Sequence, residues 1–422
     1  MNILKNSFYN FAGYLIPGIL SIFILGYTAR ILNVEKFGLL MMIMAIVGYA
    51  GIFDMGISRA VIREVALYKD NKFELGKILS TSNIVVIFLG FIATLSIIFF
   101  KYEIQSYLSV SQAIVDDVLS ALVVISFSIP IYLSTQVISA LYEGRQEFLK
   151  VNIYKTYSGL LITIFPFIFI VFQPTLYFAT LGLLISRILS LIILLYFLRT
   201  ELGLLFKGFN LNNFKRLISF GGWVAVTNII SPILSYFDKL IISNNLGANM
   251  LGFYTAPSEV IARMSILPNG ISRTIFPLLT EGLYKHNEIK NKSYMLMFVI
   301  VLPVVISGIF YSDQIIRIWF GDVYVENSKH ILQILLIGFF FNALAQIPYT
   351  SIQAKGYSNI TAIVHIAEAI PFLVFLIYSI KNYGIIGAAC VWSGRVIIDF
   401  IVLELIDRFG VFSFKKYGKY GN

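Results

Sequence analysis

Between Lys77 and Lys101 the chain reads ILSTSNIVVIFLGFIATLSIIFF, residues 78–100, without one charged side chain. A helix of that length rises about 35 Å at ~1.5 Å per residue, enough to cross a hydrocarbon layer ~30 Å thick. Lipid offers no hydrogen bonds to the backbone, so a lone apolar segment satisfies its peptide groups only as a helix. The same pattern recurs on both sides of this stretch. Apolar runs of span length are Ser7–Ile31, Phe37–Met55, Ile78–Phe100, Val118–Leu141, Ile153–Phe172 and Leu176–Leu198. They continue as Ile218–Ser243, Leu251–Leu278, Tyr294–Tyr311, Ile331–Ile352, Thr361–Ile380 and Ile385–Ile406. The expectation is an all-α, polytopic membrane protein of about twelve helices. Pro17, Pro130, Pro166, Pro232, Pro303 and Pro371 fall inside these runs and predict kinks, because neighbouring helices re-satisfy the freed carbonyls.

Composition agrees. Of 422 residues 58% are hydrophobic and 13% charged, with mean hydropathy +0.83. Soluble domains carry about 25% charge, so too little polar surface remains here to face water. The first run is too long for a signal-peptide core and reads as the first span. The single cysteine, Cys390, excludes an internal disulfide and reads as a small core residue.

Loop charge sets the orientation. If the N-terminus is inside, the inner segments hold 21 lysines and arginines and the outer segments 5, which places both termini in the cytoplasm. The net charge of +10 is this topological bias facing an anionic leaflet. The cations are scattered over all the inner loops, so nucleic acid is not an expected partner. The longest outer loops, Lys101–Asp117 and Ser312–Ser328, leave no room for a separate soluble domain. The basic, aromatic tail Arg408–Asn422 reads as an anchor on the inner leaflet.

An internal repeat organises the spans. Gly56-Ile57-Ser58-Arg59 recurs as Gly270-Ile271-Ser272-Arg273, an offset of 214. Tyr68-Lys69 and Tyr284-Lys285 follow at like distances. Gly38 pairs with Gly252 at 214, and Gly144 with Gly356 at 212. Order and spacing together predict two six-helix lobes, residues 1–205 and 206–422. Each holds an even number of spans, so both enter the membrane from the same side, related by an axis along its normal.

No Walker A sequence, His-Glu-x-x-His or arguable Ser-His-Asp set is present. No enzyme activity, metal or cofactor is expected. What remains is charge inside the spans, costing ~2.5–3.5 kcal/mol per residue on insertion scales unless it pairs or faces a cavity. The residues are Arg187, Asp238, Lys239, Glu259, Arg263, Arg273, Glu368, Arg395, Asp399 and Glu404, with Arg30 and Asp54 near span ends. Glu259–Arg263 and Arg395–Asp399 lie at i,i+4 on one helix face. Lys239 and Arg263, with Arg30, Arg187 and Arg395, are the candidates for holding an anionic phosphate or pyrophosphate head group. Asp238, Glu259 and Glu368 are the candidates for a coupling proton or cation.

Several motifs resemble the Wzx-like polysaccharide (O-antigen) flippases of the multidrug/oligosaccharidyl-lipid/polysaccharide exporter superfamily. In the first half these are Ala29-Arg30-Ile31-Leu32, Lys36-Phe37-Gly38, Phe53-Asp54-Met55-Gly56-Ile57, Arg63-Glu64 and Leu141-Tyr142-Glu143-Gly144-Arg145. In the second they are Asp238-Lys239-Leu240-Ile241-Ile242, Leu246-Gly247, Leu251-Gly252-Phe253-Tyr254, Ile275-Phe276-Pro277-Leu278 and Ile318-Trp319-Phe320-Gly321. The resemblance implies a V-shaped pair of six-helix lobes and an ion gradient as the energy source. It implies an undecaprenyl-pyrophosphate-linked glycan flipped across a bacterial inner membrane by alternating access. The implied partners are that lipid-linked oligosaccharide, membrane lipids, and a polysaccharide polymerase with its chain-length regulator. A multidrug or metabolite antiporter of the same superfamily is the nearest rival, although its often cationic substrates suit Lys239 and Arg263 badly. A membrane glycosyltransferase or polysaccharide polymerase would be expected to carry a larger outer loop.

Overall fold

A computed structural model describes residues 3–68, 71–281 and 286–410. Lys69, Tyr284-Lys285 and the tail beyond Gly410 lie outside the described residues, as does the side chain of Pro232. Every regular element among the described residues is helical. The helices are α1 (Ile3–Leu32), α2 (Val34–Tyr49), α3 (Ile57–Leu67), α4 (Lys72–Phe99), α5 (Lys101–Tyr107), α6 (Val115–Ser126), α7 (Ser128–Gly144) and α8 (Phe148–Phe172). They continue as α9 (Leu176–Phe197), α10 (Leu211–Leu246), α11 (Ala248–Met264), α12 (Ile266–Glu281), α13 (His286–Phe310), α14 (Ser312–Phe320), α15 (Asp322–Ala354) and α16 (Ser358–Phe409).

Eight stretches among the described residues are long and apolar enough to cross a membrane. Their surfaces show which solvent they meet. In α4 only 28% of the most apolar window is buried, and in α8 only 17%. Phe88, Leu95 and Phe99 of α4 and Phe172 of α8 are each more than 60% exposed. Such apolar patches are untenable in water and ordinary in lipid. The chain is a multi-pass membrane protein.

The expected prolines fall within or beside helices. Pro17, Pro166, Pro303 and Pro371 lie inside α1, α8, α13 and α16. Pro130 lies in the first turn of α7, just after the break at Phe127 that divides the expected fourth span into α6 and α7. The expected eighth span is likewise two helices, broken at Ser265. The loop expected after the second span holds a helix of its own, α3. It starts after Met55 and Gly56, both at positive φ (47° and 72°). Its buried residues Ile57, Ala60, Val61, Glu64 and Val65 recur at helical spacing.

The 52-residue α16 contains two spans. At Gly384 φ is 62° and ψ −147°, a conformation open mainly to glycine. A Cβ placed on Gly387 would lie 2.8 Å from the Ser379 carbonyl carbon, whereas residues eight apart on a straight helix are ~12 Å apart. Ile360 clusters with Leu403, Glu368 meets Arg395 and His365 meets Asp399. These pairs are nested about one centre, so the helix doubles back into an antiparallel hairpin. The expected eleventh and twelfth spans are its arms.

The chain forms two compact units. One is Met1–Ala256 with Ile316–Glu326, the other Pro257–Ile315 with Asn327–Asn422. In the first, α8 packs along α9 and α1, α4 along α7, and α6 along α9. Repeat-related glycines meet there: a Cβ on Gly38 would lie 2.6 Å from the Gly252 amide nitrogen, and one on Gly252 would overlap the Val34 carbonyl. Around this crossing Phe37, Phe320 and Tyr324 pack tilted or edge-on at 5.7–6.2 Å between centroids, with Phe253 5.9 Å from Tyr324. The other repeat landmarks diverge. Gly56 starts a helix at positive φ while Gly270 lies within α12, and Gly144 ends α7 while Gly356 (φ 88°) follows α15.

Cys390 corrects one expectation. It is exposed, on the same side of α16 as the exposed Ile386, Ile398 and Ile401.

Candidate functional site

In the first unit, α10 carries the buried neighbours Asp238 (5% exposed) and Lys239 (6%). The Tyr254 hydroxyl donates to Asp238 Oδ2 at 2.7 Å, and the Lys239 amide donates to Oδ1 at 2.8 Å. Asp238 therefore joins α10 to α11 as well as carrying charge. The Lys239 ammonium lies 6.0 Å from the Tyr236 ring. On α9, the Arg187 guanidinium lies 4.7 Å over the Tyr132 ring of α7. No carboxylate pairs with it among the described residues. An aromatic face stabilises a cation in a membrane bundle without neutralising it.

Arg30 is engaged elsewhere. It donates to the carbonyl of Arg317 at 3.1 Å and to that of Ile318, the last-turn carbonyls of α14, where a cation also complements the helix dipole. Trp319 Nε1 donates to the Ile22 carbonyl at 2.6 Å. Ser243 donates to the Leu108 carbonyl at 2.6 Å, and Asn244 to that of Tyr107 at 2.9 Å. Lys36 pairs with Asp117 at 3.2 Å. Together with the Gly38–Gly252 crossing, these contacts tie both sequence halves at the predicted outer end.

In the second unit the hairpin arms of α16 carry a buried polar cluster. Arg395 faces Glu368 at 3.6 Å and Phe372 at 5.4 Å, and His365 faces Asp399 at 3.7 Å. His365 also stacks on Tyr349, with ring planes 7° apart. The expected Arg395–Asp399 pair within one helix is thus replaced by pairing across the hairpin. Both Glu368 carboxylate oxygens, Arg395 Nε and Asp399 Oδ1 are buried without a hydrogen bond. A cavity of about 630 Å³ opens beside them, lined by Glu368 and Arg395 and otherwise by apolar residues such as Ile360, Phe372, Phe375 and Ile398. Polar atoms of both signs thus border an otherwise apolar cavity. Glu259 and Arg263 form the expected i,i+4 pair at 3.3 Å. Arg273 is exposed.

The sequence reading passed over His365, which has no metal-ligand spacing. Among the described residues no group of three or more His, Cys, Asp or Glu is placed to hold a metal. Locating the hairpin tip near residue 384 is the signal that brings His365 opposite Asp399. A double-mutant cycle tests this register. Arg395→Met and Glu368→Met should show a coupling of ~0.5–3 kcal/mol in detergent thermal unfolding, the double variant recovering stability lost by either single.

A further cluster fastens the ends of α13, α15 and α16. Asp407, its side chain 1% exposed, accepts from Lys290 and Lys355 at 2.6 Å each and from Ser351 at 2.7 Å. Ser351 also meets His286 Nε2 at 2.8 Å. Lys290 reaches Glu404 at 3.0 Å, and the Tyr294 hydroxyl donates to Glu404 at 2.5 Å.

Comparison with known proteins places this arrangement. The family model described as "Polysaccharide biosynthesis protein" matches residues 3–283. A Shigella flexneri protein assigned to O-antigen transport is 43% identical over 407 residues, covering 96% of this chain and 97% of that protein. Among solved structures, an inward-facing multidrug resistance transporter of the MATE family in the MOP superfamily superposes with TM-score 0.76 at 16% identity, over 96% of this chain and 94% of that one. The lipid II flippase MurJ in an inward closed conformation also gives 0.76 at 16% identity, over 94% and 87%. At that identity the structures establish the fold, and the family follows from the sequence matches. The chain belongs to the polysaccharide biosynthesis protein family and is a membrane transporter, not an enzyme.

Proposed function

We propose that the chain flips an undecaprenyl-pyrophosphate-linked oligosaccharide, an O-antigen or other surface-polysaccharide repeat unit, across the bacterial inner membrane by alternating access. The observation that carries this reading is the near full-length, 43% identity to the Shigella flexneri relative. The topology proposed with it is twelve spans with both termini cytoplasmic, arranged as lobes 1–205 and 206–422. The compact units divide at residue 256, because the contacts at the predicted outer end knit the start of the second lobe onto the first. Alternating access would require those contacts to part and re-form during the cycle.

Within this reading Arg187 and Lys239 are the foremost head-group cations. Arg263 and Arg395 carry carboxylate partners, Glu259 and Glu368, that a diphosphate would displace. The coupling proton or cation is assigned to Glu368 first, with Asp238 and Glu259 as further carriers. Partners are the lipid-linked oligosaccharide, membrane lipids, and a polymerase with its chain-length regulator. Deleting the gene should make lipid-linked repeat unit accumulate on the inner leaflet, and normal surface polysaccharide in that strain would refute the proposal. Complementation with Arg187→Ala or Lys239→Ala should restore polysaccharide synthesis about 10-fold less well, from loss of a charged contact of ~1.5 kcal/mol. Full restoration by both variants would remove them from the head-group site.

A further inference from the structure

A second basic site lies apart from these buried cations, between α3 and the start of α10. Here Arg63, Glu64, Tyr68, Lys215, Arg216 and Ser219 line a cavity of about 620 Å³, within the range of ligand pockets. Glu64 is buried at 4% exposure. Its Oε1 accepts from Arg63 at 3.2 Å, and its Oε2 from Arg216. Arg216 is held again by Asn213 Oδ1 at 3.4 Å and by the Tyr68 ring, 4.8 Å from the guanidinium centre. One carboxylate thus positions two arginines. Each guanidinium has five N–H donors, and both side chains remain partly open, at 52% and 37% exposure. Lys215 is exposed and has no ion-pair partner among the described residues. Among the described residues that line it, the pocket thus brings three cations around one carboxylate.

We propose that this pocket binds the phosphate of an anionic lipid head group at the cytoplasmic face, as a site separate from the transport cavity. It rests on the orientation given above, which sets α3 and the start of α10 at the inner leaflet. Preorganised guanidinium groups match phosphate oxygens in pairs. The Ser219 hydroxyl supplies a neutral donor, and Leu67 with the Tyr68 ring gives the wall an apolar edge suited to the glycerol side of a lipid.

The test is native mass spectrometry of the full chain released from detergent, with phosphatidylglycerol, phosphatidylcholine or inorganic pyrophosphate added. Wild type should retain phosphatidylglycerol in preference to phosphatidylcholine. Arg63→Gln with Lys215→Gln should weaken that retention about 25-fold, at about 5-fold per cation near an anionic surface. Lys215→Glu, which leaves the Glu64–Arg216 pair untouched, should weaken it as well, so a fold defect in the double variant does not decide the matter. Displacement of the lipid by pyrophosphate would show that the phosphate alone is recognised. Retention despite pyrophosphate would show that the lipid body is needed. Equal retention of the two lipids by wild type would overturn the proposal. So would an undiminished adduct in the variants, or an equal loss from Lys150→Gln with Lys292→Gln at other inner loops. The readout involves no transport, so it stands or falls independently of the flipping assay.

Discussion

Gly252→Leu should leave no complementing transporter in the membrane. The Cβ of any side chain at this position overlaps the Val34 carbonyl, and a backbone atom cannot swing aside as a side-chain tip can. The helices α2 and α11 would have to separate along their crossing, and Gly38 gives no slack on the other side, where a Cβ would lie 2.6 Å from the Gly252 amide nitrogen. Separation also unseats Phe37, Phe253 and Tyr324, whose ring contacts contribute ~0.5–1.5 kcal/mol each beyond burial. Overpacking adds ~1–3 kcal/mol or more. The measurement is the yield of monodisperse protein together with surface polysaccharide in the complemented deletion strain. Gly394→Ala is the contrasting change. Nothing stands within 4 Å of a Cβ there, and alanine in a helix interior is favoured over glycine by ~0.8–1 kcal/mol. That variant should behave as wild type or better. Equal tolerance of both substitutions would mean that the crossing is not close.

Asp407→Ala should be the most destabilising loss of a single charge. Its carboxylate is the shared acceptor of Lys290, Lys355 and Ser351, and Lys290 is itself largely buried. Removing one partner from a buried ionic cluster costs ~3–5 kcal/mol, because the remaining charges are left uncompensated. Glu404 still faces Lys290 at 3.0 Å, so the lower end of that range is expected. For a unit of this size the melting temperature in detergent should fall by about 5–10 °C. Glu288→Ala serves as the comparison. Its pair with Lys292 is as short, at 2.6 Å, but the two side chains are 54% and 76% exposed. Exposed pairs of this kind contribute about 0.5 kcal/mol, so that melting curve should hardly move. If the two variants melt alike, burial is not what gives the Asp407 cluster its weight.

The spans were legible because lipid imposes a long, uncharged run on every crossing helix, and few other structures require one. The turn at Gly384 falls between the predicted limits Ile380 and Ile385, since the apolar pattern pauses at Lys381-Asn382. Helices α3, α5 and α14 were harder to see. They are short and carry charged or polar residues, and a search for continuous apolarity reads them as loops. The 3.6-residue spacing of Ile57, Ala60, Val61, Glu64 and Val65 was there to be read, but only with a different template. The site was less legible than the fold. The i,i+4 rule describes neighbours within one helix and correctly gave Glu259–Arg263. It failed for Arg395, whose partner lies across the hairpin, because cross-helix register depends on where the chain turns. The pocket around Glu64 brings together residues some 150 positions apart, which no local pattern reports.

The one-residue tip of the α16 hairpin bears on how this protein enters its membrane. With Gly384 alone between the arms, no loop exists that would let the first arm settle and the second follow later. Arms joined this closely are expected to enter the bilayer together. Each carries a charge that is costly on its own in hydrocarbon, Glu368 in the first and Arg395 in the second, and the two lie 3.6 Å apart once the hairpin is closed. Paired insertion would bring the opposite charges into the bilayer already partnered, so that neither arm would cross as an isolated ion.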